Sequence, residues 1–495
     1  VKNKLFYGDC LDVLRGRDLS GERYIKEESV DLVYLDPPFN SNKVYNVFYK
    51  GSDGNDSKAQ IKGFDDIWTW NDDVEKELEE LKSMGGKITD TIIGLETILG
   101  KSNMFAYLVM MATRLIEIRR VMKPTATVYL HCDQTAGHYI KVMMDSIFGV
   151  KNFVNEIIWC YRTGGAGGRS FSRKHDNILV YVKTKDYYFN LIKERIYYEK
   201  NFFSCEQDDK GRFYADVHPV DWWNIPAVLN MSSERMGYPT QKPEALLEKI
   251  IMASCPDGGV VFDPFCGCGT TVAVANRLKL NWIGIDITHI AINLIKHRLG
   301  STAKYDVIGE PKDVAGATQL AKEDEYQFQL WALGLDNARP TIGGIKKGSD
   351  KGIDGKRFFH NPLSNKDETI IYSVKGGHTG PRDVRDLKGT VENNHAAMGV
   401  LITLEPITKD MRSEAAKGGI YKPYGLTDEE YPKIQVYTVD ELMNGKLVQW
   451  PRSLKDTTLP TISKKKIPVV AVKGKSLLDD TSREPEDCDF NDEET

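Results

Sequence analysis

Residues 260–299 read VVFDPFCGCGTTVAVANRLKLNWIGIDITHIAINLIKHRL, and their alternation decides the fold. The apolar run at 260–262 reads as a buried strand that stops at a glycine-containing turn. A helical stretch follows at 270–278, then a second strand at 282–285 ending in Asp286, then a second amphipathic helix. That is a βαβα unit, and such units build parallel, doubly wound sheets. Working outward, 104–124 (MFAYLVMMATRLIEIRRVMKP) reads as a helix closed by Pro124. Residues 126–133 read as a strand, and 138–149 as a helix closed by Gly149. The expectation is an α/β fold with one large Rossmann-like doubly wound domain over residues 1–305.

Two segments interrupt that pattern. Residues 40–100 are polar and irregular around FDDIWTW, which reads as a functional loop or a partly disordered one. Residues 185–235 mix aromatic and charged side chains without a clear period. From Asp324 the chain changes style, with a helix, a glycine-rich turn and short strands. Residues 306–320 read as a linker, 321–447 as a smaller second α/β domain, and 448–495 as an extension with an acidic tail.

A chain of 495 residues is too long for one compact domain. No run reaches the roughly 18 uninterrupted apolar residues of a membrane span, and no signal peptide is read at its start. The expectation is a cytoplasmic protein without membrane association. Eight scattered cysteines, with no C-x-x-C pair, read as reduced thiols. The overall charge of −5 conceals an asymmetry, because nine acids against Arg483 give residues 479–495 a charge of −8. Residues 1–478 therefore carry +3, which is compatible with nucleic acid. The tail reads as a solubilising end.

The turn at 263–271, DPFCGCGTT, sits between strand and helix. Gly267 and Gly269 let the backbone approach a ligand closely. Asp286 lies about 20 residues further on, where a carboxylate can hold ribose hydroxyls. The spacing fits a nucleoside-bearing cofactor and matches neither G-x-G-x-x-G nor a P-loop. Cys266 and Cys268 have no partner cluster and read as turn lining rather than metal ligands. Upstream, VDLVYLDPPFN (30–40) is an apolar strand that ends in Asp36, Pro37, Pro38 and Phe39. Neither proline can donate to a ladder, so the strand stops there.

LDPPF (35–39), followed much later by YPTQKPEALLEKII (238–251) and DPFCGCGTT, resembles the beta-class S-adenosylmethionine-dependent DNA amino-methyltransferases. The resemblance covers about residues 4–300. It implies that Asp263, Phe265, Gly267, Gly269 and Thr270 line the methionine end of S-adenosylmethionine. By the same resemblance Asp286 takes the ribose, Lys242 belongs to the pocket, and Asp9 of YGDCLDVL stands near the adenine ring. Asp36 and the Pro37 carbonyl are then the acceptors that draw an exocyclic amine towards tetrahedral geometry, with Pro38 stiffening the elbow. Phe39 would stack a base flipped out of the duplex.

No Pro-Cys pair exists for cytosine C5 chemistry. Within the family, Asp at the first position of the tetrapeptide leans towards adenine N6, and cytosine N4 is the alternative. The expected partner is double-stranded DNA, with a homodimer left open. Residues 185–235 are the candidate target-recognition region, and 162–176 a candidate phosphate-contacting loop.

Beyond residue 320, a helix contains Glu325, a turn GSDKGIDG presents Asp350 and Asp354, and a strand TIIYSVKGG ends in Lys375. This segment resembles the Mrr-like branch of the PD-(D/E)xK nuclease fold. The resemblance implies Asp354 as principal metal ligand, Lys375 beside the nucleophile, Glu325 assisting, and Mg²⁺ as the ion. Ser373 stands where that family carries Glu, Asp or Gln, and a hydroxyl is a weak Mg²⁺ ligand. A cleaving domain and a non-cleaving DNA-binding module both remain open at this point.

Overall fold

The computed structural model describes residues 2–38, 43–50, 56–66, 69–161, 169, 171–201, 205–229, 232–238, 240–341, 352–426 and 429–459. The larger sheet has nine strands: β1 (Lys4–Tyr7), β2 (Val30–Leu35), β3 (Met122–Cys132), β4 (Phe153–Cys160), β5 (His175–Val182), β6 (Trp222–Asn224), β7 (Val260–Asp263), β8 (Asn281–Asp286) and β9 (Asp306–Ile308). Their spatial order is β6-β4-β5-β3-β2-β7-β8-β1-β9. Neighbours are parallel except around β5, which runs antiparallel to β3 and β4. β2 lies in the middle and is buried along its whole length, as expected of a strand covered on both faces. Its one acid, Asp31, is held by Lys123 Nζ at 2.8 Å and by the Val260 amide at 2.9 Å. A buried charge in a strand is tolerated because it is paired in this way.

Helices cover both faces: α1 (Cys10–Arg15), α2 (Asp72–Ser83), α3 (Gly86–Leu99), α4 (Asn103–Val121), α5 (Gly137–Phe148), α6 (Glu244–Ser254), α7 (Thr270–Arg277) and α8 (His289–Leu299). α4 buries every residue from Phe105 to Leu115, capped at its start by the Ser102 hydroxyl on the Phe105 amide. The doubly wound sheet is thus as expected, but the described part of residues 40–100 is not a loop. A hairpin of Lys43–Lys50 and Asp56–Asp66 is followed by α2 and α3, which bury Val74, Leu78, Leu81, Ile92 and Leu95. The run of acids on α2 hides a stripe at i, i+4 and i+7 that seats on the core.

The smaller domain has its own sheet: β10 (Arg339–Pro340), β11 (Gly355–Asn361), β12 (Lys366–Lys375), β13 (Met398–Thr403) and β14 (Ile434–Thr438), with β15 (Lys455–Asp456) beside β11. Its helices are α9 (Val314–Glu323), α10 (Glu325–Gly334), α11 (Pro381–Asn393), α12 (Lys409–Ala416) and α13 (Val439–Met443). The expected linker 306–320 instead carries β9, which pairs with β1, and most of α9, whose Ala317 is in the second core. The expected extension likewise contributes Val448 and Trp450 to that core. No described helix is long and apolar enough to cross a membrane.

Candidate active site

Four adjacent parallel strands, β2, β7, β8 and β1, end side by side, and each presents an acid at or just beyond its carboxyl end. β2 delivers Asp36, β7 Asp263, β8 Asp286 and β1 Asp9. Open α/β sheets form ligand crevices at such carboxyl ends. A cavity of about 580 Å³ opens here and is lined by all four acids. Pro37, Pro38 and Lys242 join them beside Asp36, and Phe265, Gly267 and Thr270 from the turn.

Each acid has a different environment. Asp9 caps α1, accepting from the Leu11 amide at 2.7 Å, and both of its oxygens are held by Arg114 Nη2 at 2.9 and 3.0 Å. Asp36 Oδ2 accepts from Lys242 Nζ at 2.5 Å. Asp263 Oδ1 accepts from the Phe265 amide at 3.0 Å. Asp286 ties the turn to the next helix: Oδ2 accepts from the Gly267 amide at 2.8 Å, and Oδ1 from the Thr288 amide and hydroxyl at 2.9 and 3.0 Å. Burial lifts the Asp263 carboxyl to about 7 and the Asp286 carboxyl to about 6, against hydrogen bonds that pull both down.

The turn owes its shape to two glycines. Gly267 has φ +52°, and a Cβ there would stand 3.0 Å from the Tyr238 ring. Gly269 has φ +74° and caps α7 in the left-handed conformation, pressed so close to Ile295 that a Cβ would sit 2.6 Å from Cγ1. Gly269 therefore shapes the turn from beneath and does not line the cavity. The Thr270 hydroxyl faces inward, bonded to the Lys242 carbonyl at 3.2 Å and to Arg298 at 3.1 Å. Cys266 and Cys268 are free and buried, and the Cys266 thiol donates to the Asp263 carbonyl.

Sequence reasoning missed the groups behind the tetrapeptide. Tyr34, two residues before Asp36, also lines the cavity, and its hydroxyl meets His131 Nδ1 at 3.1 Å. His131 Nε2 meets Asp176 Oδ2 at 3.1 Å, and Tyr161 donates to the other oxygen of Asp176. His131 is fully buried, so this chain braces the floor of the cavity beneath Asp36. Arg114 was equally hidden, within an apolar helix pattern. Phe39 lies outside the described residues, as do Asp350, 162–168 and 170.

In the smaller domain, Asp354 precedes β11 and Lys375 ends β12. Asp354 Oδ2 accepts from the Val374 amide at 2.7 Å and the Ser373 hydroxyl at 3.3 Å. Glu325 lies in the first turn of α10, whose neighbours Asp324, Tyr326 and Gln327 face the cavity of the larger domain. Among the described residues no three His, Cys, Asp or Glu side chains gather as a metal site.

Residues 345–444 match the family described as NACHT-associated inactive Restriction Endonuclease 1. The chain is similar to Type II methyltransferase M.HpaI of Haemophilus parainfluenzae, 29% identical over 288 residues that span 58% of this chain and 73% of that protein. It is also similar to DNA adenine methyltransferase YhdJ of Escherichia coli K12, 25% identical over 61% of this chain and 86% of that one. Among solved structures, the chain is similar to M1.HpyAVI in complex with SAM, at 17% identity and a TM-score of 0.32 over 60% of this chain and 99% of that one. Residues 30–297, more than half of the chain and the part that carries β2, β7 and β8, match the DNA methylase family of N6/N4 methyltransferases. The chain belongs to that family and carries a restriction-endonuclease-like domain after it.

Proposed function

We propose that the chain transfers a methyl group from S-adenosylmethionine to the N6 amine of adenine at specific sites in duplex DNA. The observation that carries this reading is the opening of Asp36 and the Asp263–Gly267–Asp286 turn into one cavity. Its volume lies in the range of about 300–1,000 Å³ usual for small-molecule sites. Asp263 and Asp286 are ion-paired with nothing among the described residues, and burial raises both. Unpaired buried carboxylates suit a cationic ligand, and S-adenosylmethionine carries both an ammonium and a sulfonium. Bound there, it supplies an electrophilic methyl group.

The chain's own residues polarise and position the amine. Lys242 engages Asp36 Oδ2, which leaves Oδ1 to accept one N–H of the amine. The Pro37 carbonyl accepts the other, held by a backbone that two prolines stiffen. Both acceptors pull the nitrogen out of conjugation with the ring, so its lone pair can point across the cavity. Asp at position 36, and the name of the adenine-modifying relative, favour adenine over cytosine.

The region 185–235 supports a DNA-reading role. It forms a small sheet of Glu194–Tyr198, Glu206–Gln207 and Phe213–Val217, and it leaves Tyr197 and Trp222 exposed. The smaller domain is read as a non-cleaving DNA-binding module, because Ser373 stands where that family carries Glu, Asp or Gln and Asp354 is engaged by Ser373 and Val374 of the neighbouring strand β12.

Mass spectrometry of nucleosides from plasmid treated with the protein and labelled S-adenosylmethionine tests the reading. N6-methyladenine is expected. N4-methylcytosine would overturn the choice of base, and no labelled nucleoside would overturn methyl transfer to DNA.

A further inference from the structure

The cofactor cavity is not built by the methylase domain alone. Asp324, Tyr326 and Gln327, from the first turn of α10, form part of its wall. α10 belongs to the smaller domain: Phe328, Trp331, Ala332 and Leu333 lie in that domain's core. Its other face is fastened to α8. Gln327 Oε1 accepts from the His289 amide at 3.1 Å, and Asn293 Nδ2 donates to the Leu330 carbonyl at 3.0 Å. Leu330 packs with Ile290, Leu294 and Tyr238, and a Cβ on Gly334 would stand only 2.3 Å from the Asn293 amide. One helix is thus shared between two cores, and its first turn faces the cavity.

That turn stands at one particular end. α8 starts three residues after Asp286, and the His289 ring stacks on Tyr7 with centroids 3.7 Å apart. Tyr7, Asp286 and Thr288 line the cavity beside the α10 residues. This is the end where an acid closing the second strand of a βαβ unit takes ribose hydroxyls. Asp324 spends one oxygen on the Gln327 amide at 2.9 Å as the cap of α10. Tyr326 is 37% exposed, which leaves much of its ring uncovered at the cavity.

We infer that Tyr326 and Asp324 bind the nucleoside half of S-adenosylmethionine, the ring of Tyr326 covering the adenine and Asp324 accepting a hydrogen bond from its polar edge or the ribose. The inference rests on the methyl-donor reading above. It makes the restriction-endonuclease-like domain part of the cofactor site, so cofactor binding and the seating of α10 on α8 support each other. By reciprocity, whatever moves α10 changes the affinity for the cofactor.

The test is calorimetric titration of the full chain with S-adenosylmethionine, together with hydrogen exchange. Tyr326→Ala is expected to weaken binding about ten-fold, the scale of losing a ring that stacks on a base. Asp324→Asn keeps the helix cap and is expected to cost about three-fold. Saturating ligand is expected to slow amide exchange over residues 324–330 and leave 398–403 unchanged. If the wild type binds while both variants stay within two-fold of it and 324–330 gain no protection, the inference is overturned and the methyl-donor reading stands. If the wild type does not bind, both fall. Should Tyr326→Ala not fold, Asp324→Asn and the wild-type exchange pattern decide.

Discussion

Lys242 and Asp36, 206 positions apart in the chain, meet through a 2.5 Å contact between Nζ and Oδ2 at the end of the central strand. Their side chains are only 9% and 15% exposed. A lysine so placed both lines the cavity and holds Asp36. It fixes the carboxylate that the proposed mechanism turns towards the amine, and it offsets its charge. In a site this dry, breaking one side of such a pair leaves the other charge uncompensated.

Asp36→Asn is therefore expected to abolish methyl transfer, by 10³-fold or more, while cofactor affinity is held or improved. The sign follows from Asp263, which the Asp36 charge helps to push up. Removing that charge lets Asp263 ionise more readily and attract a cation better. Lys242→Met should lower turnover about 10²-fold with cofactor affinity within a few-fold, because it frees Asp36 without removing it. Single-turnover methylation and equilibrium titration on each variant check this. Equal loss of binding and transfer in Asp36→Asn would mean that Asp36 belongs to the cofactor and not to the amine.

Cofactor affinity should rise with pH between about 5.5 and 7.5 and then level off. Asp263 titrates at about 7 and Asp286 at about 6, both lifted by burial. Below those values the acids are neutral and a cationic ligand must displace their protons, so each contributes up to ten-fold per pH unit. Titration in two buffers of different ionisation enthalpy should reveal proton release at pH 6 and almost none at pH 8. The ligand-free protein should show the opposite trend. A raised acid favours folding at low pH, and that contribution fades as pH climbs from its unfolded value of 3.8 through 6 and 7. Thermal melts with and without S-adenosylmethionine would therefore diverge as pH increases.

The central strands were legible because parallel strands buried on both faces read as nearly continuous apolar runs, as 30–35 (interrupted only by Asp31) and 260–262 do. Their terminal acids were legible because each follows such a run at a turn built from Pro or Gly. α2 was not, since six acids between Asp72 and Glu80 mask the Val74, Leu78 and Leu81 stripe. β9 has three residues, too few for a period, and exists only because β1 offers an open edge. The pairing of Lys242 with Asp36 and the Tyr34–His131–Asp176 chain depend on how strands are ordered in space. No local pattern encodes that order. Glu325 shows the converse: its resemblance pointed to a metal, whereas its helical turn lies against the other domain's cavity.

Gly269→Ala should damage folding more than Gly267→Ala. At Gly269 the left-handed backbone costs an alanine about 1–2 kcal/mol, and the crowding against Ile295 adds about 1–3 kcal/mol. At Gly267 (φ +52°) an alanine carries a similar backbone cost, but its methyl meets the edge of Tyr238 at 3.0 Å, where a small shift relieves the crowding. Gly267 lines the cavity and bonds Asp286, so its variant should lose cofactor affinity with a smaller loss of stability. Melting temperatures and titrations on the two variants would separate shaping from binding. A larger drop in melting temperature for Gly267→Ala would reverse the assignment.

The smaller domain offers a gain-of-function test. Ser373 Oγ lies 3.3 Å from Asp354 Oδ2 on the neighbouring strand, so the position normally held by a second metal ligand is adjacent and chemically inert. Ser373→Asp would set two carboxylates side by side. Without metal they repel, and the variant should melt several degrees below the wild type in EDTA. Mg²⁺ or Mn²⁺ at millimolar concentration should restore that loss in the variant and leave the wild-type melt unchanged, because two acids bridge a divalent ion where one with a hydroxyl does not. Methylation should be unaffected in both. If the wild type itself gains stability from Mg²⁺ and nicks plasmid in its presence, the domain cleaves DNA with Ser373 as it stands, and the non-cleaving reading is wrong.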